Sequence, residues 1–313
     1  MQSKEFNSEI LNTWLFIVNP AAGGGKAAAL CDKAEAMMNA AGIQFVRINT
    51  KDAGDAISIS VKGISDGYRK ILIGGGDGSL NEVLRGIMHQ QVVASKEIVI
   101  SQLPVGTGND WRRSYGFSTS LKKSVEMLKS EKRVCQDIGK LVYESGSSDW
   151  FINSAGGGFD AQVAFAANEK KKQGRSGLMV YISALLGQLF SFNEPEFEVS
   201  INGEEFRFRG FTVLAGVGKY AGNGMKLIPH AGEEKGKLSI VLVEKISRLK
   251  IVFNILKLFS GKFTHLKEVK LFTCESLQLA ASPEQNLQID GESRGNTPVR
   301  IEIVPEAIMV LCE

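Results

Sequence analysis

Residues 71–84 read ILIGGGDGSLNEVL, and this stretch determines the type of fold that the rest of the chain must complete. An apolar run of strand length leads into Gly74, Gly75 and Gly76, then Asp77, one more glycine and a segment with apolar residues at helical spacing. Glycines are common in surface turns, because they accept backbone angles that other residues avoid. Here they also leave backbone N–H groups bare where a strand meets a helix. The start of a helix with free N–H groups is an anion site.

Two further junctions in the first half of the chain share this design. The strand WLFIV at 14–18 runs into NPAAGGGK, and EIVISQLP at 97–104 runs into VGTGND. Helical segments at 26–42, 55–64, 79–88 and 120–130 alternate with these and other strands. Strands and helices taking turns predict a parallel sheet with helices on its faces. Loops that follow parallel strands lie at the edge where ligands bind, so we expect the three loops to face one crevice and bind phosphate.

The second loop carries two further signals. Ser79 and Glu82 have the spacing of a capping box, which predicts a helix that begins at Ser79. Asp77 would repel a bound phosphate unless a divalent cation lies between them, because hard cations take carboxylate and phosphate oxygens together. Asp77 therefore indicates a phosphate site that works with a metal ion.

After about residue 138 the pattern changes to short alternating runs divided by Gly, Asn, Ser and Asp. Such runs predict an antiparallel sandwich or barrel, interrupted here by helical segments at about 161–192 and 246–261. The predicted fold class is therefore α/β plus all-β. A Rossmann-like parallel α/β domain at 10–138 is followed by an antiparallel β-sandwich domain at 139–313.

Composition excludes several classes of protein. The chain has 313 residues with a net charge of +3, which is too small a basic excess to indicate a nucleic-acid partner. Its four cysteines lie far apart without metal-ligand spacing and predict free thiols in a reducing compartment. We find no secretion signal, and the longest apolar segment, 178–190, is shorter than a bilayer requires. These features predict a cytoplasmic protein.

Several motifs, in this order along the chain, resemble those of the diacylglycerol kinase catalytic-domain family, which includes bacterial lipid kinases and sphingosine kinases. The first three are NPAAGG at 19–24, GGDGS at 75–79 followed by NEV, and LPVGTGNDWRRSYG at 103–116. The second half adds NSAGGGFDAQV at 153–163, GNGMKLIPHA at 222–231 and DGE at 290–292. The resemblance covers nearly the whole chain, from about Trp14 to the last strand.

This resemblance implies ATP-dependent, magnesium-dependent phosphorylation of a lipid hydroxyl, in a cleft between the two domains. Carried over by position, the nucleotide contacts would be Asn19, Lys26, Thr50, Gly75, Gly76, Asp77, Gly78, Ser79, Thr107 and Asn109. Asp77 and Asp110 would hold Mg²⁺. Glu292 matches the proton acceptor of the family, with Asp290 beside it. Phosphoryl transfer mainly requires that the reactants are positioned and their charge neutralised. The phosphate-binding loops predicted from the residue pattern would serve both needs.

Two positions depart from the family pattern. Ala22 stands where a serine is usual, which removes one hydroxyl from the first loop. Lys235 stands where an aspartate binds a structural magnesium, and we expect its ammonium group to take the ion's place and pair with Glu234.

Two segments of the second half combine basic and apolar residues, at 170–190 and 246–261. Such segments pack on a sandwich with solvated lysines or rest on an anionic bilayer, and the resemblance to lipid kinases favours the bilayer. We expect a lipid substrate and transient peripheral contact with the inner face of the membrane, with a homodimer as one possible assembly.

Two other interpretations stay open at this point. Soluble NAD kinases also have a GGDG loop followed by an Asn-Glu pair, although here that pair, at Asn81 and Glu82, follows the loop immediately. The alternative is a nucleotide-binding scaffold without activity, which Ala22 and Lys235 favour and the three acidic residues Asp77, Asp110 and Glu292 disfavour.

Overall fold

The computed structural model describes residues 8–130, 132–172 and 177–312, and the chain divides into two compact units. The first unit is discontinuous in sequence and comprises the chain up to Gln136 and from Glu306 onward. The second unit is Asp137–Pro305.

The secondary structure elements are named in chain order. The α-helices are α1 (Ser8–Asn12), α2 (Ala27–Ala40), α3 (Asp55–Asp66), α4 (Asp77–His89), α5 (Asp110–Ser114), α6 (Leu121–Met127), α7 (Phe159–Lys172), α8 (Leu178–Leu189), α9 (Arg248–Asn254) and α10 (Lys257–Ser260). The strands are β1 (Trp14–Val18), β2 (Phe45–Asn49), β3 (Lys70–Gly74), β4 (Val99–Gln102), β5 (Arg133–Tyr143), β6 (Ser148–Phe151), β7 (Ser154–Gly158), β8 (Glu196–Ile201), β9 (Glu204–Gly216), β10 (Leu238–Glu244), β11 (Val269–Cys274), β12 (Ser276–Ser282), β13 (Asn286–Ile289), β14 (Glu292–Asn296) and β15 (Val299–Leu311). Short 3-10 helices lie at Ala22–Gly25, Ser95–Glu97 and Lys262–His265.

The first unit is built on a parallel sheet in the order β2-β1-β3-β4. All five residues of β1 are buried, as expected for a central strand covered on both faces. Helix α2 packs on the sheet through Ala27, Cys31, Ala34 and Met38, which are fully buried. The predicted alternation of strand and helix in this half of the chain is confirmed.

The last strand contributes to the first unit as well as to the second. Met309 and Val310 of β15 pair in parallel with Val99 and Ile100 of β4. This pairing covers the edge of β4, which would otherwise expose unpaired backbone groups. The unit boundary therefore differs from the predicted 139–313 at its C-terminal end, because residues from Glu306 onward complete the parallel sheet.

The second unit contains two largely antiparallel layers that share the long strand β9. The end of β9 pairs with β7 and β10, and its beginning pairs with β8. One layer continues from β7 to β13 and β14 and from β10 to β11, while the other continues from β8 to β12 and β15. Buried residues from both layers form one core, among them Phe197, Val213 and Leu287.

Helices α7 to α10 belong to the second unit and form a separate apolar cluster with β9. Phe159, Leu189, Phe192 and Phe211 are buried in it. The predicted helical segment 161–192 is two helices, α7 and α8, and the segment 246–261 is also divided, into α9 and α10. The predicted fold class, a parallel α/β domain followed by a β-sandwich domain, is confirmed. The described helices include none with the length and apolar character to cross a bilayer.

Candidate active site

The strand order of the first unit places a binding edge beside two of the predicted loops. Order β2-β1-β3-β4 has its switch point between β1 and β3, because the connections leave these two neighbouring strands in opposite directions. Asn19 follows β1 and Gly75 follows β3, so both lie at the carboxyl end of the sheet. Ligands of doubly wound folds bind at this position.

The three glycine loops of the first unit are in contact with one another. Asn19 at the first loop donates from Nδ2 to the hydroxyl of Ser79 in the second, over 3.2 Å. Gly23 lies so close to the third loop that an added Cβ would sit 2.6 Å from the carbonyl oxygen of Val105. The expectation that the loops face one crevice agrees with these contacts.

Two glycines are required by this close approach. A Cβ on Gly106 would lie 2.6 Å from the Cα of Gly76, so the second and third loops pack backbone against backbone. A Cβ on Gly75 would lie 2.4 Å from the Ser79 hydroxyl. Because no side chain fits, the loops present main-chain groups to whatever occupies the crevice.

Helix α4 begins two residues earlier than predicted. Its first residue is Asp77, and Gly76 caps it without a side-chain hydrogen bond. The predicted capping box is wrong, because Ser79 accepts from Asn19 and Glu82 accepts from the N–H of Gly54 at 2.9 Å. The first-turn N–H groups of a helix have no partner inside it, so α4 directs them at the glycine loop.

Asp77 joins the second loop to the third. Its carboxylate accepts the N–H groups of Asp110 at 3.1 Å and Trp111 at 3.2 Å, which are the first two residues of α5. A carboxylate is favourable there because the start of a helix carries partial positive charge. The contact also brings Asp77 next to Asp110, whose side chain is buried, so the two predicted magnesium ligands are neighbours.

Two buried polar residues that the sequence did not single out support these loops. Gln102 at the end of β4 donates to the carbonyl of Gly75 at 3.0 Å. Arg112, 3% exposed, donates to the carbonyl of Gln102 and to the hydroxyl of Ser124. A guanidinium group buried beneath a loop is held by such acceptors and fixes the loop in turn.

The remaining predicted nucleotide contacts differ in their surroundings. Asn109 adopts a positive φ of 50° and closes the third loop by donating to the carbonyl of Gly106 at 2.8 Å. Thr50 is buried at the end of β2, where its N–H bonds to the carbonyl of Val18. Lys26 and Thr107 are exposed. Gly76 and Gly78, like Asp77, are half-buried, as expected for residues at an open site.

In the second unit, the DGE motif is a tight turn between β13 and β14. Asp290 and Gly291 have φ of 49° and 83°, as the mirror-image turns of two-residue hairpins require. The carboxylate of Asp290 accepts three backbone N–H groups, from Ile152 at 2.9 Å, Asn153 at 2.8 Å and Ser154 at 3.0 Å. Its oxygens are thus engaged in holding the β6–β7 connection against the turn.

Glu292 is held by a residue that no motif indicated. Asn168 on α7 donates from Nδ2 to the carbonyl of Gly291 at 2.9 Å and to the Glu292 carboxylate at 3.3 Å. The Glu292 side chain is half-buried, so it combines contact with solvent and a fixed orientation. A carboxylate positioned in this way can accept a proton from a hydroxyl group.

An almost entirely apolar cavity of about 120 Å³ lies under the helices of the second unit. Cavities of roughly 150 Å³ with apolar walls admit a hydrocarbon such as benzene. Residues lining it include Phe159, Tyr181, Leu185, Phe211, Ile251 and Leu258.

One carboxyl group, that of Asp160 in the first turn of α7, borders this cavity. Thr212 donates its hydroxyl to one oxygen, and the other has no hydrogen-bond partner. Burial raises the pKa of Asp160 to about 6 despite the hydrogen bond from Thr212, which acts in the opposite direction.

The predicted pairing of Lys235 with Glu234 is wrong. Glu234 pairs with Lys237 at 2.7 Å and accepts the Thr273 hydroxyl at 2.9 Å. The i,i+3 spacing on a turn brings Lys237 to Glu234, and Lys235 is exposed. Among residues 8–130, 132–172 and 177–312, no group of three or more His, Cys, Asp or Glu could hold a metal ion.

Comparison with known proteins extends over both units. Residues 13–141 match the model of the diacylglycerol kinase catalytic domain, and residues 153–312 match the YegS C-terminal NAD kinase beta sandwich-like domain. The chain is 28% identical over 298 residues to a diacylglycerol kinase of Mycobacterium tuberculosis, covering 94% of this chain and 93% of that protein. It is 27% identical over 271 residues to a protein of an Enterobacter species named "Probable lipid kinase YegS-like", covering 85% of each chain.

A crystal structure of a diacylglycerol kinase from Bacillus anthracis has the same fold. It superposes with a TM-score of 0.72 at 21% identity, covering 96% of this chain and 97% of that one. The domain matches lie in the same order as the two folded units and extend over almost all of the described residues. The chain therefore belongs to the diacylglycerol kinase catalytic-domain family, with a YegS-type β-sandwich as its second domain.

Proposed function

We propose that this protein transfers the γ-phosphate of ATP to a hydroxyl group of a lipid, diacylglycerol or a related molecule. The observation that carries this proposal is the meeting of three glycine loops at the switch point of the parallel sheet. Bare N–H groups and the start of α4 would offer donors to a phosphate bound there. Membership of the family supports the reaction class, and the contacts between the loops support a phosphate site in the first unit.

The first unit would bind the nucleotide. Gly75, Gly76 and Gly78 offer main-chain N–H groups to the phosphates, and Asn19 orients the Ser79 hydroxyl toward them. Thr50, Thr107 and Asn109 would border the nucleotide, with the exposed Lys26 free to reach a phosphate from the first loop.

Asp77 and Asp110 fit a magnesium ion of the kind that serves phosphoryl transfer. Mg²⁺ is usually bound by one or two carboxylates together with substrate phosphates, so two neighbouring aspartates suffice. When bound, the ion would neutralise charge that develops on the phosphate oxygens. Asp77 itself holds the start of α5 next to the start of α4 through its hydrogen bonds from the N–H groups of Asp110 and Trp111.

The second unit would supply the acceptor side. Glu292, oriented by Asn168, would take the proton from the lipid hydroxyl as that oxygen attacks phosphorus. Asp290 would act by holding the turn, because its oxygens already accept three backbone N–H groups. The apolar cavity under the helices would hold part of a hydrocarbon chain.

A lipid acceptor also implies where the protein works. Its substrate resides in a bilayer, so we propose a cytoplasmic protein with transient peripheral contact at the inner membrane face. The NAD kinase alternative is disfavoured because the full-length relatives named above are diacylglycerol or lipid kinases.

The reaction can be tested with the purified full chain, ATP labelled in the γ-phosphate, and diacylglycerol in mixed detergent micelles. We expect label in phosphatidic acid. Glu292→Gln should lower the rate by about 10²-fold or more, because it removes the general base. Asp77→Asn should cause a similar loss, whereas Asp52→Asn, an exposed loop aspartate of the same unit, should leave the rate unchanged.

Each alternative has its own signature in the same assay. Label that enters NADP when NAD is supplied, and never a lipid, would establish the NAD kinase interpretation. Equal ATP consumption by wild type and Asp77→Asn would indicate a scaffold without activity. Thermal unfolding of each variant separates a lost reaction from a lost fold.

A further inference from the structure

The most exposed apolar side chains of the described residues belong to helical segments of the second unit. These side chains are 66–83% exposed: Met179 on α8, Phe190 directly after it, and Leu249, Phe253 and Leu256 on α9 and its junction with α10. Large apolar groups scattered singly on a surface need no explanation, but a cluster on adjacent turns indicates an interaction site.

The segment from α9 to α10 is apolar on two opposite faces. Ile251, Asn254 and Leu258 line the cavity, so they form the inner face. Leu249, Phe253 and Leu256 follow at helical spacing on the other side, and we call these three residues the 249–256 face. A helix that is apolar all round is normally buried, so the 249–256 face lacks a covering partner among the residues that the structure describes.

The segment that carries this face has an excess of positive charge. Residues 245–267 contain six Lys or Arg and no Asp or Glu. Arg248 and Lys250 form ion pairs with Glu194 and Glu268. The other four cations are exposed and form no ion pair within the described part of the chain: Lys245, Lys257, Lys262 and Lys267.

We propose that the 249–256 face docks on an anionic lipid bilayer. Its three apolar side chains would enter the boundary between head groups and acyl chains, and the surrounding lysines would lie at the level of the anionic head groups. Lys257, next to Leu256 in sequence, can extend its apolar stem along the same boundary. The inner face of the same segment would then form a wall between the bilayer and the cavity.

A second copy of this chain fits the same surface poorly. A two-fold contact places the same patch on both partners, so the four exposed cations without an ion pair among the described residues of one copy would meet the same four in the other. A bilayer rich in anionic lipid reverses that repulsion into attraction. The charge pattern therefore favours lipid over self-association.

The test is sedimentation of the full chain with phosphatidylcholine vesicles, with and without phosphatidylglycerol. We expect binding that needs the anionic lipid and weakens as salt is raised. The triple variant Leu249→Ser/Phe253→Ser/Leu256→Ser should lower the partition coefficient by about tenfold or more. Lys257→Glu/Lys262→Glu should lower it by more than about fivefold for each lysine changed, because each change removes a positive charge and adds a negative one.

Two control variants carry the same kinds of substitution at exposed positions outside the 249–256 face. Val92→Ser/Leu271→Ser removes two exposed apolar residues elsewhere, and Lys123→Glu/Lys129→Glu reverses two exposed lysines of the first unit. Both control proteins should bind vesicles like the wild type. The proposal is overturned if the triple variant binds vesicles as well as the wild type does. It is also overturned if sedimentation velocity shows that the wild type forms a dimer which the triple variant does not form, while vesicle binding is the same for both.

The docking proposal and the proposed function fail separately. Phosphorylation of lipid in detergent micelles does not require docking, so the triple variant should retain it while losing activity on vesicles. Vesicle binding without phosphorylation of any lipid would refute the kinase assignment and leave the docking face in place.

Discussion

Replacing Asp290 separates the two roles that the DGE turn could play. The sequence places this residue beside the predicted base Glu292, whereas its carboxylate accepts the backbone N–H groups of Ile152, Asn153 and Ser154. Asp290→Ala removes the two carboxylate oxygens that accept these three hydrogen bonds. If holding the turn is its role, the main effect of the change is on folding stability.

The expected loss follows from the geometry. The three bonds measure 2.9, 2.8 and 3.0 Å and end on a carboxylate. A hydrogen bond to a charged group contributes about 1.5–3 kcal/mol, and bonds that share one acceptor are not additive. We therefore expect the free energy of unfolding to fall by about 3–5 kcal/mol. For a domain of this size the Tm falls by about 10 °C.

Thermal unfolding followed by circular dichroism measures this loss, and hydrogen exchange at residues 152–154 should speed up in the variant. Glu204→Ala, an exposed acidic residue of the same unit, is the control and should unfold like wild type. An Asp290→Ala protein with wild-type Tm and no kinase activity would refute this reasoning, because the carboxylate would then act in the reaction itself.

Three further predictions concern single contacts. Gly106→Ala places a Cβ 2.6 Å from the Cα of Gly76, so the loops must separate; stability should fall by about 1–3 kcal/mol, and ATP affinity, measured by calorimetry, should fall with it. Asn168→Ala frees the Glu292 carboxylate, so steady-state kinetics should show kcat lowered about tenfold with KM for ATP unchanged. Burial raises the pKa of Asp160 to about 6 from 3.8, so the folded state keeps a proton that the unfolded chain has lost between these values, and stability from this group is lost as the pH rises through 6. We therefore expect the free energy of unfolding of Asp160→Asn, relative to that of wild type, to rise by about 2 kcal/mol from pH 4 to pH 7, measured by urea unfolding.

Each of these predictions has a contrasting case. Gly187→Ala adds a Cβ with no atom within 4 Å on helix α8, so it should leave stability unchanged or raise it by up to about 1 kcal/mol. Asn286→Ala, an exposed asparagine at the start of β13, should leave kcat unchanged. A stability difference between Asp160→Asn and wild type that does not vary with pH would contradict the raised pKa.

The architecture was predictable because its signals are local. The strand ILIG, the glycines after it and the apolar spacing of the next helix each act over a few residues, and the parallel sheet followed from their alternation. Contact between the three loops followed from their place after parallel strands. The start of α4 was missed because the residues of the apparent capping box, Ser79 and Glu82, bond to Asn19 and Gly54, far away in the chain.

The supporting residues could not be predicted for the same physical reason. Asn168 and Glu292 are 124 positions apart, and only the packing of α7 beside the β13–β14 turn brings them together. Arg112 lies within the third-loop motif, but the motif does not show that its guanidinium group is buried and donates to the carbonyl of Gln102. Lys237 rather than Lys235 forms the ion pair with Glu234, because the chain turns between Glu234 and Lys237. The sequence does not distinguish these two lysines.

The basic and apolar segments gave a partial signal. The sequence predicted one amphipathic helix at 246–261, and the structure divides it and exposes Leu249, Phe253 and Leu256. Of the cations at 170–175, Lys170 donates to the Ser183 hydroxyl at 2.8 Å, and the side chains of the others lie outside the described residues.

The most direct test of the central claim offers the protein every lipid at once. The full chain is incubated with a total bacterial lipid extract and ATP labelled in the γ-phosphate, and the organic phase is resolved by thin-layer chromatography. A lipid kinase predicts one or a few labelled lipids that disappear with Glu292→Gln. Label that stays in the aqueous phase, with an organic phase no different from a reaction without protein, would contradict it.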